Sequence, residues 1–79
     1  MSLSVLFFGV TADIAGSRES DVDVPVGESV EALLIHLVGR FPNLASQKLL
    51  IAVNEEYVDT DTILKDGDEV AIFTAVSGG

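Results

Sequence analysis

The sequence predicts an α+β fold in which one main helix packs on one face of a small mixed sheet. Strongly apolar, strand-like segments lie near both ends of the chain, at residues 3–8 and 69–74. Between them, apolar residues recur at helical spacing in a single segment, residues 30–41. A helix with one apolar stripe and a sheet with one apolar face bury each other, which gives a fold of two layers.

Residues 3–8 predict the first strand. Leu3, Val5 and Phe7 share one face, and Leu6 and Phe8 share the other, because successive strand residues point to opposite sides. Both faces are apolar. The strand is therefore expected either to be central in the sheet or to meet a partner on one face.

A connector and a second strand follow. A short helical turn is expected at residues 14–16, where Gly16 allows the left-handed conformation that ends a helix. Residues 20–26 alternate between polar and apolar, which is typical of a half-buried strand, and Pro25 places that strand near an edge of the sheet. The side chains expected to point inward are Val22, Val24 and Val26.

The main helix is predicted from residue 30 onward. Ser29 is a favourable N-cap, Arg40 suits the negative end of the helix dipole, and Pro42 is expected to stop the helix. One apolar stripe is expected to face the sheet. Its members are Val30, Leu33, Leu34, Leu37, Val38 and Phe41.

The second half of the chain predicts three further strands. A nearly all-apolar strand at residues 48–53 is followed by a turn and a short return strand at residues 57–58. After an irregular stretch at residues 60–64, the turn at residues 65–68 leads into the last strand through its Asp-Gly chemistry. Placing the apolar first and last strands side by side and parallel gives the ubiquitin-like β-grasp fold, with four to five strands, over residues 1–75.

Composition restricts the function. With 79 residues the chain is one domain, and it contains no Cys and one His. Its net charge of −9 argues against nucleic acid and anionic membranes as partners, and favours a partner with a basic surface. No signal peptide is recognised, so a cytoplasmic location is expected. His36 is interpreted as a solvated helix residue. The acidic residues lack EF-hand spacing, so no metal or cofactor site is expected.

The chain ends in Val76-Ser77-Gly78-Gly79. Glycine adds no packing and orders at a high entropic cost, but it lets a backbone enter a channel where any Cβ would collide. We therefore expect residues 76–79 to form a flexible tail and the carboxylate of Gly79 to be the reactive group. The alternative is a frayed end without function.

Three segments resemble the MoaD family, the ubiquitin-like sulfur carrier subunits of molybdopterin synthase. They are residues 5–9 (Val-Leu-Phe-Phe-Gly), residues 48–54 (Lys-Leu-Leu-Ile-Ala-Val-Asn), and residues 66–73 (Asp-Gly-Asp-Glu-Val-Ala-Ile-Phe) with the Gly-Gly end. The related ThiS carriers share the Asp-Gly-Asp turn and the Gly-Gly end. Many MoaD chains have two prolines before the terminal Val, where this chain has Thr74-Ala75, so its tail is expected to be less stiff.

The resemblance implies a division of chemistry among several proteins. A MoeB-like E1 adenylyltransferase, which uses ATP, would adenylate Gly79, and a sulfur donor protein would supply the sulfur for a thiocarboxylate. The thiocarboxylate would donate sulfur to cyclic pyranopterin monophosphate, held by a MoaE-like large subunit in a heterotetramer of two small and two large subunits. The chain has no glycine-rich phosphate loop and is not expected to be catalytic alone.

Three aromatic residues are candidate partner contacts. Phe8, Tyr57 and Phe73 are expected on the sheet face away from the helix, where aromatic side chains are preferred interface anchors. In the tail itself, Val76 and Ser77 are expected to contact the partner, and Gly78 lies beside the reactive Gly79. The alternative for Phe8 and Phe73 is that they fill a small core.

Three other functions share these sequence features. One is a ThiS-like sulfur carrier for thiamine synthesis. Another is a ubiquitin-like modifier that is joined through Gly79 to lysines of other proteins. The last is a binding module that uses its sheet face and has an inert tail.

Overall fold

The computed structural model describes residues 1–75, and residues 76–79 lie outside the described part. The strands are β1 (Ser2–Phe7), β2 (Glu19–Asp23), β3 (Leu49–Val53), β4 (Glu56–Tyr57) and β5 (Glu69–Thr74). The helices are α1 (Val10–Ala15), α2 (Val30–Arg40) and a 3-10 helix (Pro42–Ser46). None of the described helices is long and apolar enough to cross a membrane.

The five strands form one mixed sheet in the order β2-β1-β5-β3-β4. The central pair, β1 and β5, runs parallel, with Val5 opposite Val70 and Phe7 opposite Ile72. All other neighbouring pairs are antiparallel. A parallel pair needs a long crossover, and the intervening chain supplies it. The predicted α+β, β-grasp arrangement is therefore confirmed.

Helix α2 packs on the sheet through the predicted stripe. Ser29 caps it as expected, since its Oγ accepts a hydrogen bond from the Ala32 N–H (3.1 Å). The core between the layers joins residues from the helix, β1 and β5. Its fully buried members include Leu3, Val5, Val30, Leu33, Leu37, Val70 and Ile72.

The second strand is shorter than the prediction, and Val26 was placed wrongly. Strand β2 ends at Asp23, and the Val26 side chain is 86% exposed. The chain turns after Val24: Glu28 N–H donates to the Pro25 carbonyl (3.4 Å) and Gly27 has a φ of 88°. The turn breaks the strand alternation, so Val26 does not follow Val22 and Val24 into the core.

Helical structure at two places exceeds the prediction. The expected short turn is a full helix, α1, which begins at Val10 and ends at the predicted cap, Gly16, in the left-handed conformation. Pro42 ends α2 as predicted, but it also begins the 3-10 helix. Proline favours the first helical position because its φ is already suitable and its missing N–H is not needed there.

The Asp-Gly-Asp segment is a structural turn. Gly67 has a φ of 83°, and the Asp68 N–H donates to the Lys65 carbonyl (3.1 Å). Asp66 Oδ1 accepts a hydrogen bond from the Ser2 N–H (2.7 Å), and Asp68 Oδ1 accepts one from Asn54 Nδ2 (2.9 Å). These bonds tie the start of β5 to its neighbours in the sheet.

Candidate functional site

The face of the sheet opposite α2 carries a cluster of exposed aromatic side chains. Phe8 follows β1 and Phe73 lies in β5, and their rings stack with centroids 4.7 Å apart and planes 11° apart. The Tyr57 ring on β4 lies 6.0 Å from that of Phe73. The structure thus brings together the three aromatic residues that the sequence analysis selected.

The strand registers explain why these side chains share one face. Phe73 lies opposite Leu50 on β3, and Tyr57 lies opposite Ala52. Phe8 is 44% exposed and Tyr57 is 70% exposed, whereas Phe73 is half-buried. Neither Phe8 nor Phe73 belongs to the buried core between the layers.

A hollow lies between the aromatic rings. Its floor is made by Ala52 and Ala71, whose small side chains leave room between larger neighbours. Glu55 and Glu69 also line it, and none of the basic side chains among residues 1–75 does. We call this surface the aromatic face, defined as Leu6, Phe8, Leu50, Ala52, Glu55, Tyr57, Glu69, Ala71 and Phe73. It is suited to binding apolar side chains of a partner that has a positive charge at the rim.

Two parts of the aromatic face were not predicted from the sequence. Leu50 is 43% exposed beside Phe73, and the two alanines form the floor of the hollow. The period-two alternation of β3 places Leu50 and Ala52 on the same side. That signal was present in the sequence, but the nearly all-apolar strand concealed which of its faces is open.

Thr11 positions the end of β1 against β5, a role that no local sequence pattern indicates. Its side chain is fully buried, and its hydroxyl lies 2.7 Å from the Phe8 carbonyl and 3.1 Å from the Ile72 carbonyl. The Phe8 N–H also donates to the Ile72 carbonyl (3.0 Å). This network holds the backbone on which the stacked aromatic pair is mounted.

Strand β5 leads from the aromatic face to the predicted reactive end. The Ala75 N–H donates to the Lys48 carbonyl (2.7 Å), so the pairing with β3 extends to the last described residue. The four candidate residues of the tail lie outside the described part of the chain; they are Val76, Ser77, Gly78 and Gly79.

The remaining candidate residues lie apart from the aromatic face. His36 is exposed on α2, in the layer on the other side of the sheet. In residues 1–75, no three His, Cys, Asp or Glu side chains are grouped so that they could hold a metal ion.

Sequence comparisons give the chain's relatives. The model of the ThiS family matches residues 5–79. The molybdopterin synthase sulfur carrier subunit of Drosophila melanogaster is 42% identical, with 100% of this chain and 92% of that protein covered. The protein of the same name from Escherichia coli K12 is 40% identical, over 98% of this chain and 99% of that protein.

Solved structures agree with the fold. SAMP1, the small archaeal modifier protein 1 of Haloferax volcanii, is similar with a TM-score of 0.86 and 32% identity, and both chains are covered completely. A complex of subunits 1 and 2 of the molybdopterin-converting factor from Helicobacter pylori contains a similar chain, with a TM-score of 0.69, 26% identity and complete coverage of both chains. The match over residues 5–79 and the full-length relatives establish that this chain belongs to the ThiS family.

Proposed function

We propose that this chain is the sulfur carrier of a molybdopterin synthase, with the carboxylate of Gly79 as the group that carries sulfur. The observation that carries the proposal is the identity of about 40% along the whole chain to relatives with that name. The aromatic face supports it, because a carrier must dock on other proteins and β5 leads from this face toward Gly79.

The proposed chemistry begins with activation of the carboxylate. A terminal carboxylate is ionised at neutral pH and is a poor electrophile. A MoeB-like E1 adenylyltransferase would use ATP to form an acyl-adenylate at Gly79, with release of pyrophosphate. Sulfur at the sulfide level, released from a donor protein, would then attack the acyl carbon, displace AMP and leave a thiocarboxylate; if the donor holds the sulfur as a persulfide, a thiol reductant would cleave its S–S bond. The ATP site would lie on the adenylyltransferase.

The thiocarboxylate would then react in the pocket of a MoaE-like large subunit. There it would donate its sulfur to cyclic pyranopterin monophosphate, and two transfers would complete the dithiolene of molybdopterin. The similar chain in the Helicobacter pylori complex of subunits 1 and 2 supports a large subunit as partner. We further propose a heterotetramer of two small and two large subunits.

A reconstituted reaction tests the carrier role. With ATP, the adenylyltransferase and the sulfur donor present, intact-mass analysis should show one oxygen replaced by sulfur at Gly79. We expect Gly78→Ala, or deletion of Gly79, to abolish sulfur transfer to the precursor without unfolding the domain, because a narrow channel rejects the added Cβ.

Gly39→Ala is the matched control for this test. Gly39 lies in α2, and an added Cβ there would meet nothing within 4 Å. This variant should transfer sulfur like the wild type. The carrier mechanism is wrong if the chain that lacks Gly79 still yields molybdopterin.

A second candidate function is protein modification. The full-length similarity to the small archaeal modifier protein 1 of Haloferax volcanii favours it, since that neighbour is 32% identical. Carrier and modifier both begin with adenylation, so the products must decide. Isopeptide adducts between Gly79 and lysines of other proteins, found in cells of the source organism, would support a modifier.

The family match leaves a thiamine-type carrier as a third candidate. Affinity capture from the same cells distinguishes it from the first. A MoaE-like large subunit among the bound proteins supports the molybdopterin role, and a thiazole synthase supports the thiamine role.

A further inference from the structure

The outer edge of β3 is only partly covered by β4. Strand β4 has two residues and pairs only with Ala52 and Val53. The Lys48 carbonyl accepts a hydrogen bond from the N–H of Ala75, the residue that follows β5. At the other end of β3, the Asn54 N–H donates to the Glu69 carbonyl. Even-numbered residues of this segment therefore direct their backbone groups toward β5. Odd-numbered residues direct theirs toward the outer edge.

Leu49 and Ile51 are the odd-numbered residues beyond the end of β4. The Ile51 carbonyl accepts a hydrogen bond from the Val58 N–H (3.1 Å). Val58 therefore lies opposite Ile51, and within residues 1–75 the uncovered residue at this edge is Leu49, whose two backbone groups have no hydrogen-bond partner there. An uncovered strand edge is a template for pairing with another chain.

A cleft lies beside this uncovered edge. It separates β3 from the loop at residues 59–61 and has a volume of about 860 Å³. Leu50 and Tyr57 supply apolar surface, and the exposed residues Asp59 and Asp61 line the opposite side. Leu50 and Tyr57 also belong to the aromatic face, so the cleft and that face form one continuous surface.

We propose that the uncovered edge of β3 and this cleft bind an extended, lysine- or arginine-bearing segment of the large synthase subunit as an added strand. The inference rests on the proposed function. Strand addition obtains affinity from main-chain hydrogen bonds and selectivity from alternate side chains. The aspartates favour a basic segment. They disfavour a second copy of this chain, whose net charge is −9.

Amide hydrogen exchange of the complex with the same organism's large subunit tests the inference. In the free chain, the amide of Leu49 should exchange faster than those of Leu50 and Ala52, which face β5. Binding should slow exchange at Leu49 by about tenfold or more, because its N–H gains a partner. Tight binding without this protection overturns the inference and leaves the proposed function intact.

Two other outcomes also decide the question. If the wild-type chain does not bind the large subunit, both the inference and the proposed function fail. If Leu49 becomes protected in the chain alone as its concentration rises, the edge pairs with a second copy, and the inference fails by itself.

Variants separate the contribution of the backbone from that of side chains. Leu49→Pro removes the outward N–H, at an edge position where proline is tolerated. Leu49→Ala is its control, because it truncates the same side chain but keeps the N–H. We expect Leu49→Pro to bind the large subunit about tenfold more weakly than Leu49→Ala, the loss of roughly one hydrogen bond. Equal affinities contradict strand addition, and if Leu49→Pro does not fold, the exchange experiment decides.

A matched pair of charge reversals tests the cleft. Asp61 lines the cleft, whereas Asp21 lies on β2 at the opposite edge of the sheet. The substitutions Asp61→Lys and Asp21→Lys change the net charge equally. We expect Asp61→Lys to weaken binding several-fold more than Asp21→Lys, mainly through slower association. Equal effects of the two reversals would overturn the assignment of a basic segment to the cleft.

Discussion

Phe8 presents apolar surface to solvent although it directly follows a central strand of the sheet. It stacks on Phe73, yet 44% of it remains exposed. Phe8→Asp should therefore leave the domain folded and weaken binding of the large subunit by about 30-fold or more, which corresponds to a hot-spot loss of about 2 kcal/mol. Titration calorimetry measures the affinity, and circular dichroism checks the fold.

Ile35→Asp is the matched control for Phe8→Asp. Ile35 is 67% exposed on α2, in the other layer of the fold. The substitution therefore introduces the same charge on a surface outside the aromatic face. Its affinity should remain near that of the wild type. If Phe8→Asp unfolds the domain instead, Phe8 acts as a core residue and its assignment to the interface is wrong.

The Thr11 hydroxyl contributes to stability through two backbone carbonyls. Thr11→Val keeps the shape of the side chain and removes the donor, which is fully buried between the Phe8 and Ile72 carbonyls. We expect the free energy of unfolding in urea to fall by about 1 kcal/mol. Thr60→Val, at an exposed loop position, should change it by less than about 0.5 kcal/mol. Equal stability of both variants would contradict a role for this hydroxyl.

Ala75 is hydrogen-bonded to the start of β3 immediately before the predicted tail. Proline at this position would have no N–H, whereas Ala75 donates to the Lys48 carbonyl (2.7 Å). A ladder hydrogen bond here restrains the chain as far as Ala75, where many MoaD chains would use a proline ring.

The hairpin between β3 and β4 stores backbone strain. Its two turn residues, Asn54 and Glu55, have positive φ values of 49° and 71°. Asparagine tolerates this conformation, but for glutamate it is costly. Glu55→Gly should raise the free energy of unfolding by about 1 kcal/mol, since the strain relieved exceeds the entropic cost of the added chain freedom in the unfolded state.

Glu55→Ala distinguishes the backbone effect from the loss of the charged side chain. Alanine removes the carboxylate but keeps Cβ, so the positive φ remains unfavourable. Chemical unfolding of both variants should show a gain in stability only for Glu55→Gly. A similar gain for Glu55→Ala would attribute the effect to charge repulsion near Glu69, which lines the same hollow.

The predictability of each element depended on whether its signal was local. Periodicity and capping identified α2 from Ser29 onward, and alternation separated Leu3, Val5 and Phe7 from Leu6 and Phe8. Val26 was misplaced because the turn at residues 25–28 ends the alternation, although Pro25 and Gly27 indicated it. The buried position of Thr11 and the uncovered edge of β3 depend on long-range pairing, so no local pattern reveals them.

The charge of the whole molecule is poorly compensated within the fold. Thirteen acidic residues stand against four basic ones. In the part of the chain that the structure describes, the one ion pair joins the amino terminus to Asp23 (3.4 Å). Most of the acidic residues therefore repel one another across a domain whose radius of gyration is 11.7 Å. This repulsion opposes the compact state, because an unfolded chain spreads the same charges farther apart.

Salt should therefore stabilise the domain. Raising sodium chloride from about 0.01 M to about 0.15 M shortens the Debye length from about 30 Å to about 8 Å, which screens charges on opposite sides of the molecule. We expect the free energy of unfolding in urea to rise by about 0.5 to 1 kcal/mol, the scale of surface electrostatic contributions. The double variant Asp21→Lys/Asp61→Lys carries less negative charge and should gain less from salt. A wild-type stability that is constant or falls over this range would show that self-repulsion does not limit the fold.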